Sequence, residues 1–221
     1  MKMSRTAKNP VCVVCFGDSL TWGFNPADKS RYGHEIRWTR RMQRELGPGF
    51  YVLEEGVNGR TTVYDDPVMG DRNGLAHLGT VRRTHMPIDI LIIMLGTNDL
   101  KMRFSANAET IAASMGRLLD FARRPTDDTE GRAPKVLLMS PPPLGPLAGT
   151  PLEAQFDDRS YKESHRLAGC YREKAAEYGA AFFDTGTVIS ASPIDAVHFD
   201  AEPQADLARA VAGEVLKLAE A

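Results

Sequence analysis

Apolar residues along the chain gather into five short runs, 11–16, 51–55, 88–95, 135–140 and 181–184, each followed by a longer segment of helical period. Runs of four to eight residues rich in Val, Ile, Leu and Phe fit strands, and their alternation with helices fits consecutive βαβ units. The pattern predicts a five-stranded parallel sheet with helices on both faces, a three-layer α/β/α architecture. The run Asp89-Ile90-Leu91-Ile92-Ile93-Met94-Leu95 is apolar at odd and even positions alike. A strand covered on both faces needs that, so this one is expected at the middle of the sheet.

Two helical stripes are clear. Leu207, Val211, Val215 and Leu218 lie on one face of the last helix, and Leu167, Tyr171, Ala175 and Tyr178 on one face of the helix before it, which Gly179 is placed to stop. Both stripes read as core. Two stretches, 56–73 and 141–158, fit neither period and are long for loops in a compact fold. The second opens with Pro141-Pro142-Pro143 and carries Leu144, Leu147, Leu152 and Phe156. It is either an ordered wall or lid beside the strand ends, or a cover for a neighbouring helix.

Composition narrows the classes. At 221 residues and 43% hydrophobic content the chain can bury a full core, and one domain spanning 1–221 is the expectation, with residues 1–9 flexible. A net charge of −2 and a pI near 6.2 leave no electrostatic footprint for nucleic acid or an anionic membrane. The pairs Arg40-Arg41 and Arg82-Arg83 read as solvated helix faces. No apolar run is long enough to span a bilayer, and the one behind the N-terminus is too short for a signal segment, so a soluble cytoplasmic protein is expected. Cys12, Cys15 and Cys170 read as buried thiols. Cys12-x-x-Cys15 has redox spacing, but it falls within a strand rather than at a helix N-terminus.

The candidate chemistry gathers where strands should end. The first run breaks into Gly17-Asp18-Ser19-Leu20-Thr21-Trp22-Gly23, a strand-to-turn transition that leaves the Ser19 hydroxyl at the strand's carboxyl end, where open α/β sheets bind ligands. Alone, Gly-Asp-Ser would be an ordinary helix cap. Three further clusters change that reading: Gly56-Val57-Asn58-Gly59-Arg60 after the second run, Gly96-Thr97-Asn98-Asp99 after the third, and Asp195-Ala196-Val197-His198 near the C-terminus. Serine acyl transfer needs a base, an acid that orients the base, and donors aimed at the tetrahedral oxygen. His198 is the candidate base and Asp195 its orienting partner, because His34, His77, His85 and His165 have no comparable carboxylate spacing beside a predicted strand end. The candidate donors are the Ser19 N–H, the Gly59 N–H and the Asn98 side-chain amide. Asp99 is expected as a helix N-cap.

In order and content these four blocks resemble those of the SGNH (GDSL) hydrolases, over almost the whole chain. The longer stretches Gly17 to Gly23, Glu54-Glu55-Gly56, Arg60-Thr61-Thr62, Ile92 to Asp99 and Ser140 to Leu144 are similar to the mycobacterial arylesterase/acyltransferase group and its rhizobial relatives. The resemblance implies the flavodoxin-like SGNH hydrolase fold and a catalytic set of Ser19, Asp195 and His198. It also implies an oxyanion hole of Ser19, Gly59 and Asn98. The implied reaction is hydrolysis of small acetyl-type and aryl esters without a metal or other cofactor, and transfer to alcohols or peroxide is a further implication. Lipase, thioesterase and carbohydrate acetylesterase activities belong to the same family and stay open. A homo-oligomer is implied too, although the 141–158 segment matches the narrower group only at its start.

Trp22, Val197 and Phe156 are candidate pocket walls. Lys101, three residues beyond Asn98, either lines the entrance or is an exposed helix lysine. Two other classes remain. Asp18-Ser19-Leu20-Thr21 is in part like the Asp-x-Asp-x-Thr signature of Mg-dependent phosphotransferases, with Asp18 as nucleophile but without the second aspartate. A noncatalytic carbohydrate- or partner-binding module on the same fold is the other.

Overall fold

The computed structural model describes residues 9–125 and 132–220. Residues 1–8, most of the segment expected to be flexible, lie outside the described residues. Five strands, β1 (Val11–Gly17), β2 (Phe50–Gly56), β3 (Ile90–Met94), β4 (Lys135–Ser140) and β5 (Ala181–Asp184), form one parallel sheet in the order β2-β1-β3-β4-β5. Each expected strand is present, and the doubly apolar one is indeed central. β3 is shorter than the apolar run that marks it, since Ile88 and Leu95 stay buried just beyond its ends.

Between the strands run α1 (Ser19–Trp22), α2 (Trp38–Leu46), α3 (Gly74–His85), α4 (Ala108–Arg123), α5 (Asp158–Glu177) and α6 (Pro203–Glu220). The twofold strand period sorts the core into two layers. Val14, Phe16, Leu91, Ile93 and Leu138 face α3, α4 and α5. Val13, Cys15, Ile90, Ile92, Met94, Leu137 and Met139 face α2 and α6. Leu207, Val211 and Val215 of the α6 stripe are fully buried, as are Leu167, Tyr171 and Ala175 of the α5 stripe, up to 1% exposure, while Leu218 and Tyr178 complete each stripe from the margin. Tyr171 also donates its hydroxyl to Leu95 O at 2.9 Å, tying α5 to the end of β3.

This strand order places a reversal between β1 and β3, where the loops leaving adjacent strands part company. Such a parting opens a crevice at the carboxyl edge. The 141–158 segment is an ordered wall along it and also packs on the α5 layer. Leu144, Leu147 and Phe156 are buried in the α3–α5 core layer, Leu144 N–H donates to Ser164 Oγ at 3.0 Å, and Gly145 N–H donates to Ala196 O at 2.8 Å.

Two surface readings are corrected. Arg82 is a buried side chain rather than part of a solvated face: it donates to Phe121 O at 2.6 Å and to Arg124 O, satisfying carbonyls at the end of α4. Arg83 beside it is exposed, while Arg40 is half-buried and donates to Val52 O at 3.0 Å. Of the three thiols only Cys15 is buried, whereas Cys12 and Cys170 are partly exposed; none is in a disulfide.

Candidate active site

Ser19 is the first residue of α1, at the carboxyl end of β1. Asp18 caps that single turn, its Oδ1 accepting from Leu20 N at 2.9 Å, and Gly23 N–H closes it on Ser19 O at 3.0 Å. The turn can lie this low over the sheet because β2 ends in glycine. A Cβ at Gly56 would come 2.3 Å from the backbone nitrogen of Trp22. Arg60, buried beneath, donates to Gly17 O at 2.8 Å and to Glu55 O, and stacks its guanidinium 4.2 Å over the Phe16 ring. Burial lowers its pKa to about 10, against the raising influence of Glu55 and Asp18. Arg60 therefore binds the ends of β1 and β2 together below the turn.

The second half of the site comes from a loop without regular structure. Asp195 Oδ1 accepts from the backbone N–H groups of Val197 at 3.0 Å and His198 at 2.9 Å, and Oδ2 lies 2.6 Å from His198 Nδ1. His198 Nε2 lies 2.8 Å from Ser19 Oγ. A proton on Nδ1, shared with the carboxylate, leaves Nε2 to accept the serine hydroxyl. Burial opposes ionisation of Asp195, but the hydrogen bond and charge of His198, with the two backbone donors, outweigh it and hold the carboxyl below its usual value. Between Asp195 and His198, Ala196 adopts φ +62°, a left-handed conformation uncommon for a residue with a Cβ. Bonds from Ala196 N to Ser192 O at 2.8 Å and from Ser192 N to His198 O at 2.6 Å hold it there.

Asn98 begins a short 3₁₀ turn after β3 and is buried against the first half. Its amide nitrogen lies 3.2 Å from Asp18 Oδ2 and 3.1 Å from Arg60 O. Both oxygens of Asp18 are thus engaged, one by Leu20 N–H and one by Asn98. Burial raises the Asp18 carboxyl to about 6, with Leu20 N–H and the neighbouring cations opposing. Gly59 turns the chain at φ +83°, and its Cα faces the Met69 thioether so closely that a Cβ would stand 2.8 Å from Sδ.

Asp99 is not a helix N-cap. It is fully buried within the 3₁₀ turn and accepts from Thr62 N at 3.0 and 3.1 Å and from Thr62 Oγ1, so it ties the 56–73 loop to the end of β3. Lys101 is not an exposed lysine either. It is 5% exposed, its ammonium 3.9 Å from Met69 Sδ, and burial pushes its pKa down to about 8.

Trp22 is half-buried beside the turn, with the Arg31 guanidinium 5.3 Å over its ring. Phe156 and Val197 are 2% and 4% exposed and sit with Leu144 and Ala196 in the core layer that backs the base loop. One residue the sequence reading did not name stands directly on His198: the Phe24 ring stacks on its imidazole with centroids 4.1 Å apart and planes at 29°. Its only advance signal is an aromatic side chain just past the Ser19 turn. Among the described residues, no group of three or more His, Cys, Asp or Glu is arranged to hold a metal ion, and no helix is long and apolar enough to cross a membrane.

Comparison with known proteins gives the family and the fold. Residues 15–205 match the model of the GDSL-like Lipase/Acylhydrolase family. The structure of Est24, a carbohydrate acetylesterase from Sinorhizobium meliloti, superposes with a TM-score of 0.90 at 40% identity, covering 94% of this chain and 99% of that one. The inhibitor-bound M. smegmatis aryl esterase gives 0.89 at 38% identity, with the same coverages of 94% and 99%. An acetylxylan esterase of Xylanibacter ruminicola is 24% identical over 189 residues. That alignment takes in 80% of this chain but 36% of the relative, so the chain spans about a third of that relative's length.

Proposed function

The chain belongs to the GDSL-like lipase/acylhydrolase family, and from that premise we propose a serine esterase that hydrolyses small acetyl-type esters, aryl esters among them, through an acyl-Ser19 intermediate. The observation that carries this reading is the continuous chain Ser19 Oγ, His198 Nε2, His198 Nδ1, Asp195 Oδ2, with contacts of 2.8 and 2.6 Å. As Oγ attacks the ester carbonyl, His198 takes its proton and Asp195 stabilises the imidazolium. The Ser19 and Gly59 N–H groups and the Asn98 amide serve as donors to the tetrahedral oxygen. Asn98 then exchanges its 3.2 Å contact with Asp18 for the oxyanion. His198 returns the proton to the departing alcohol, and water activated by the same imidazole releases the acid. An alcohol or peroxide in place of that water makes the enzyme an acyltransferase.

In this reading Trp22 and Lys101 line the entrance, Phe156 and Val197 back it, and the whole chain acts as one catalytic domain in the cytoplasm without a cofactor. A homo-oligomer fits the exposed Val68, Met69, Met102 and Ile194. A second reading, deacetylation of carbohydrates, is favoured by two relatives being named for it. Asp18 as a phosphotransferase nucleophile is disfavoured, because both of its oxygens already accept hydrogen bonds.

The test is a series of p-nitrophenyl esters from acetate to octanoate, run beside acetylated xylo-oligosaccharides, on wild type and Ser19→Ala, with mass spectrometry after organophosphonate treatment. Expected are rates falling with acyl length, one adduct, on Ser19, and a loss on the order of a millionfold in kcat for Ser19→Ala. An unlabelled Ser19 or full activity of Ser19→Ala overturns the proposal. Rates that rise toward octanoate replace it with a lipase or thioesterase reading.

A further inference from the structure

Between α1 and α2, residues 23–33 form a strap over the site. Its limbs pair through an antiparallel bridge between Phe24 and Arg31, with Asn25 N donating to Ser30 O at 2.9 Å and Tyr32 N to Gly23 O at 2.7 Å. The strap is fastened to both halves of the site. On the serine side, Arg31 Nε donates to Trp22 O at 2.7 Å and Nη2 reaches Glu54 Oε2 at 3.5 Å. On the histidine side, the Tyr32 hydroxyl donates to Phe199 O at 3.5 Å, one residue past His198. Between these ties the strap presents the Phe24 ring to the imidazole face, with the Trp22 ring centroid 6.5 Å from that of Phe24.

We infer that Phe24 is a positioning residue for the His198 base, its ring fixing the plane of the imidazole and favouring the imidazolium. The inference rests on the serine-esterase reading above. The imidazole is hydrogen-bonded only in its own plane, through Nδ1 to Asp195 and Nε2 to Ser19. Those two bonds set the distances but resist tilting about the line that joins them only weakly, since a tilt moves neither nitrogen far. A ring stacked at 4.1 Å blocks that tilt sterically. The aromatic face also carries negative quadrupole density, so it attracts an imidazolium more strongly than a neutral imidazole. The contact therefore strengthens as the Ser19 proton arrives and relaxes as it leaves. An interaction of that kind lowers the barrier without tightening substrate binding. An aliphatic residue of similar size would fill the space without the charge preference.

The test compares Phe24→Leu, Phe24→Met, Phe24→Tyr and Phe24→Trp with wild type on p-nitrophenyl acetate. Thermal melting, the rate of organophosphonate labelling at Ser19 and the partition of the acyl-enzyme between water and methanol are measured in parallel. Phe24→Leu and Phe24→Met are expected to lose about tenfold in kcat with KM within twofold of wild type. Labelling should slow by a similar factor and the partition should stay unchanged, because both acceptors are activated by the same imidazole. Phe24→Tyr and Phe24→Trp should keep kcat within about twofold. If Phe24→Leu does not fold, Phe24→Met decides. Wild-type kcat in a folded aliphatic variant, a loss confined to KM, or an altered water–methanol partition overturns the inference and makes Phe24 a pocket wall. Absence of Ser19 labelling in wild type is a different result: it removes the esterase reading itself.

Discussion

Ser19 stands on a turn whose geometry is imposed by the sheet, whereas His198 stands on a loop that supplies its own scaffold. On the serine side, strand-end glycine, the buried Arg60 and the fully buried carboxylates of Asp18 and Asp99 leave the backbone almost no alternative path. On the histidine side, a single carboxylate holds two backbone N–H groups and the ring it serves, with Ala196 kept at a positive φ between them. Rigidity arises from burial in the first case and from one hub in the second. The difference shows where each half should be vulnerable: the serine turn to added volume, the histidine loop to loss of one acceptor.

Among variants that probe the scaffolds rather than the nucleophile itself, the largest effect should come from the hub. Asp195→Asn keeps an oxygen for the Val197 and His198 backbone donors but can present an N–H to Nδ1, which selects the wrong imidazole tautomer. A loss of about ten-thousandfold in kcat with a near-native melting temperature is expected in ester assays and thermal melts. A fall in kcat of less than tenfold would break the comparison. Volume should injure the other half instead. Gly56→Ala drives a methyl group into the Trp22 backbone, 2.3 Å away in the unrelaxed fold, and is expected to cost about 3 kcal/mol in urea unfolding together with a slowed Ser19 labelling rate.

The smallest effect separates the halves by the sign of their response to pH. Burial raises the Asp99 carboxyl from 3.8 to about 6, against the pull of its Thr62 hydrogen bonds. Its contribution to stability is therefore complete below 3.8 and is lost as pH rises through 6. Asp195, held below its usual value, contributes in the opposite sense: its share is present above the ordinary carboxylate range and is lost only as pH falls through its depressed value. Asp99→Asn keeps an acceptor for Thr62 and removes the titration. It should gain on wild type by roughly 1–2 kcal/mol in urea unfolding between pH 4.5 and pH 7.5. A constant difference across that window would remove Asp99 from the account.

What could be read in the sequence follows from what is local. The five strands declare themselves by apolar runs, β3 declares its central place by being apolar on both faces, and the Asp195 and His198 spacing allows their contact within one turn. The Ser19 motif is local as well. What escaped reading depends on partners far along the chain. Lys101, Arg82 and Asp99 are charged residues that nothing adjacent in the sequence marks as buried, and only the fold shows that Met69, the end of α4 and Thr62 enclose them. Phe24 escaped for the same reason, since nothing near it announces a ring contact with a residue so distant in the chain.

That distance has a temporal meaning. Ser19 and His198 meet across 179 residues, and the 195–198 loop lies between β5 and α6, so the pair cannot form while the chain emerges from the ribosome until all five strands have been made. Domains take shape during synthesis at about 5–20 residues per second. In the proposed reading the nascent polypeptide carries Ser19 as an ordinary hydroxyl for roughly ten seconds or more at such rates, and hydrolytic power arrives in one late step with the closing of the fold.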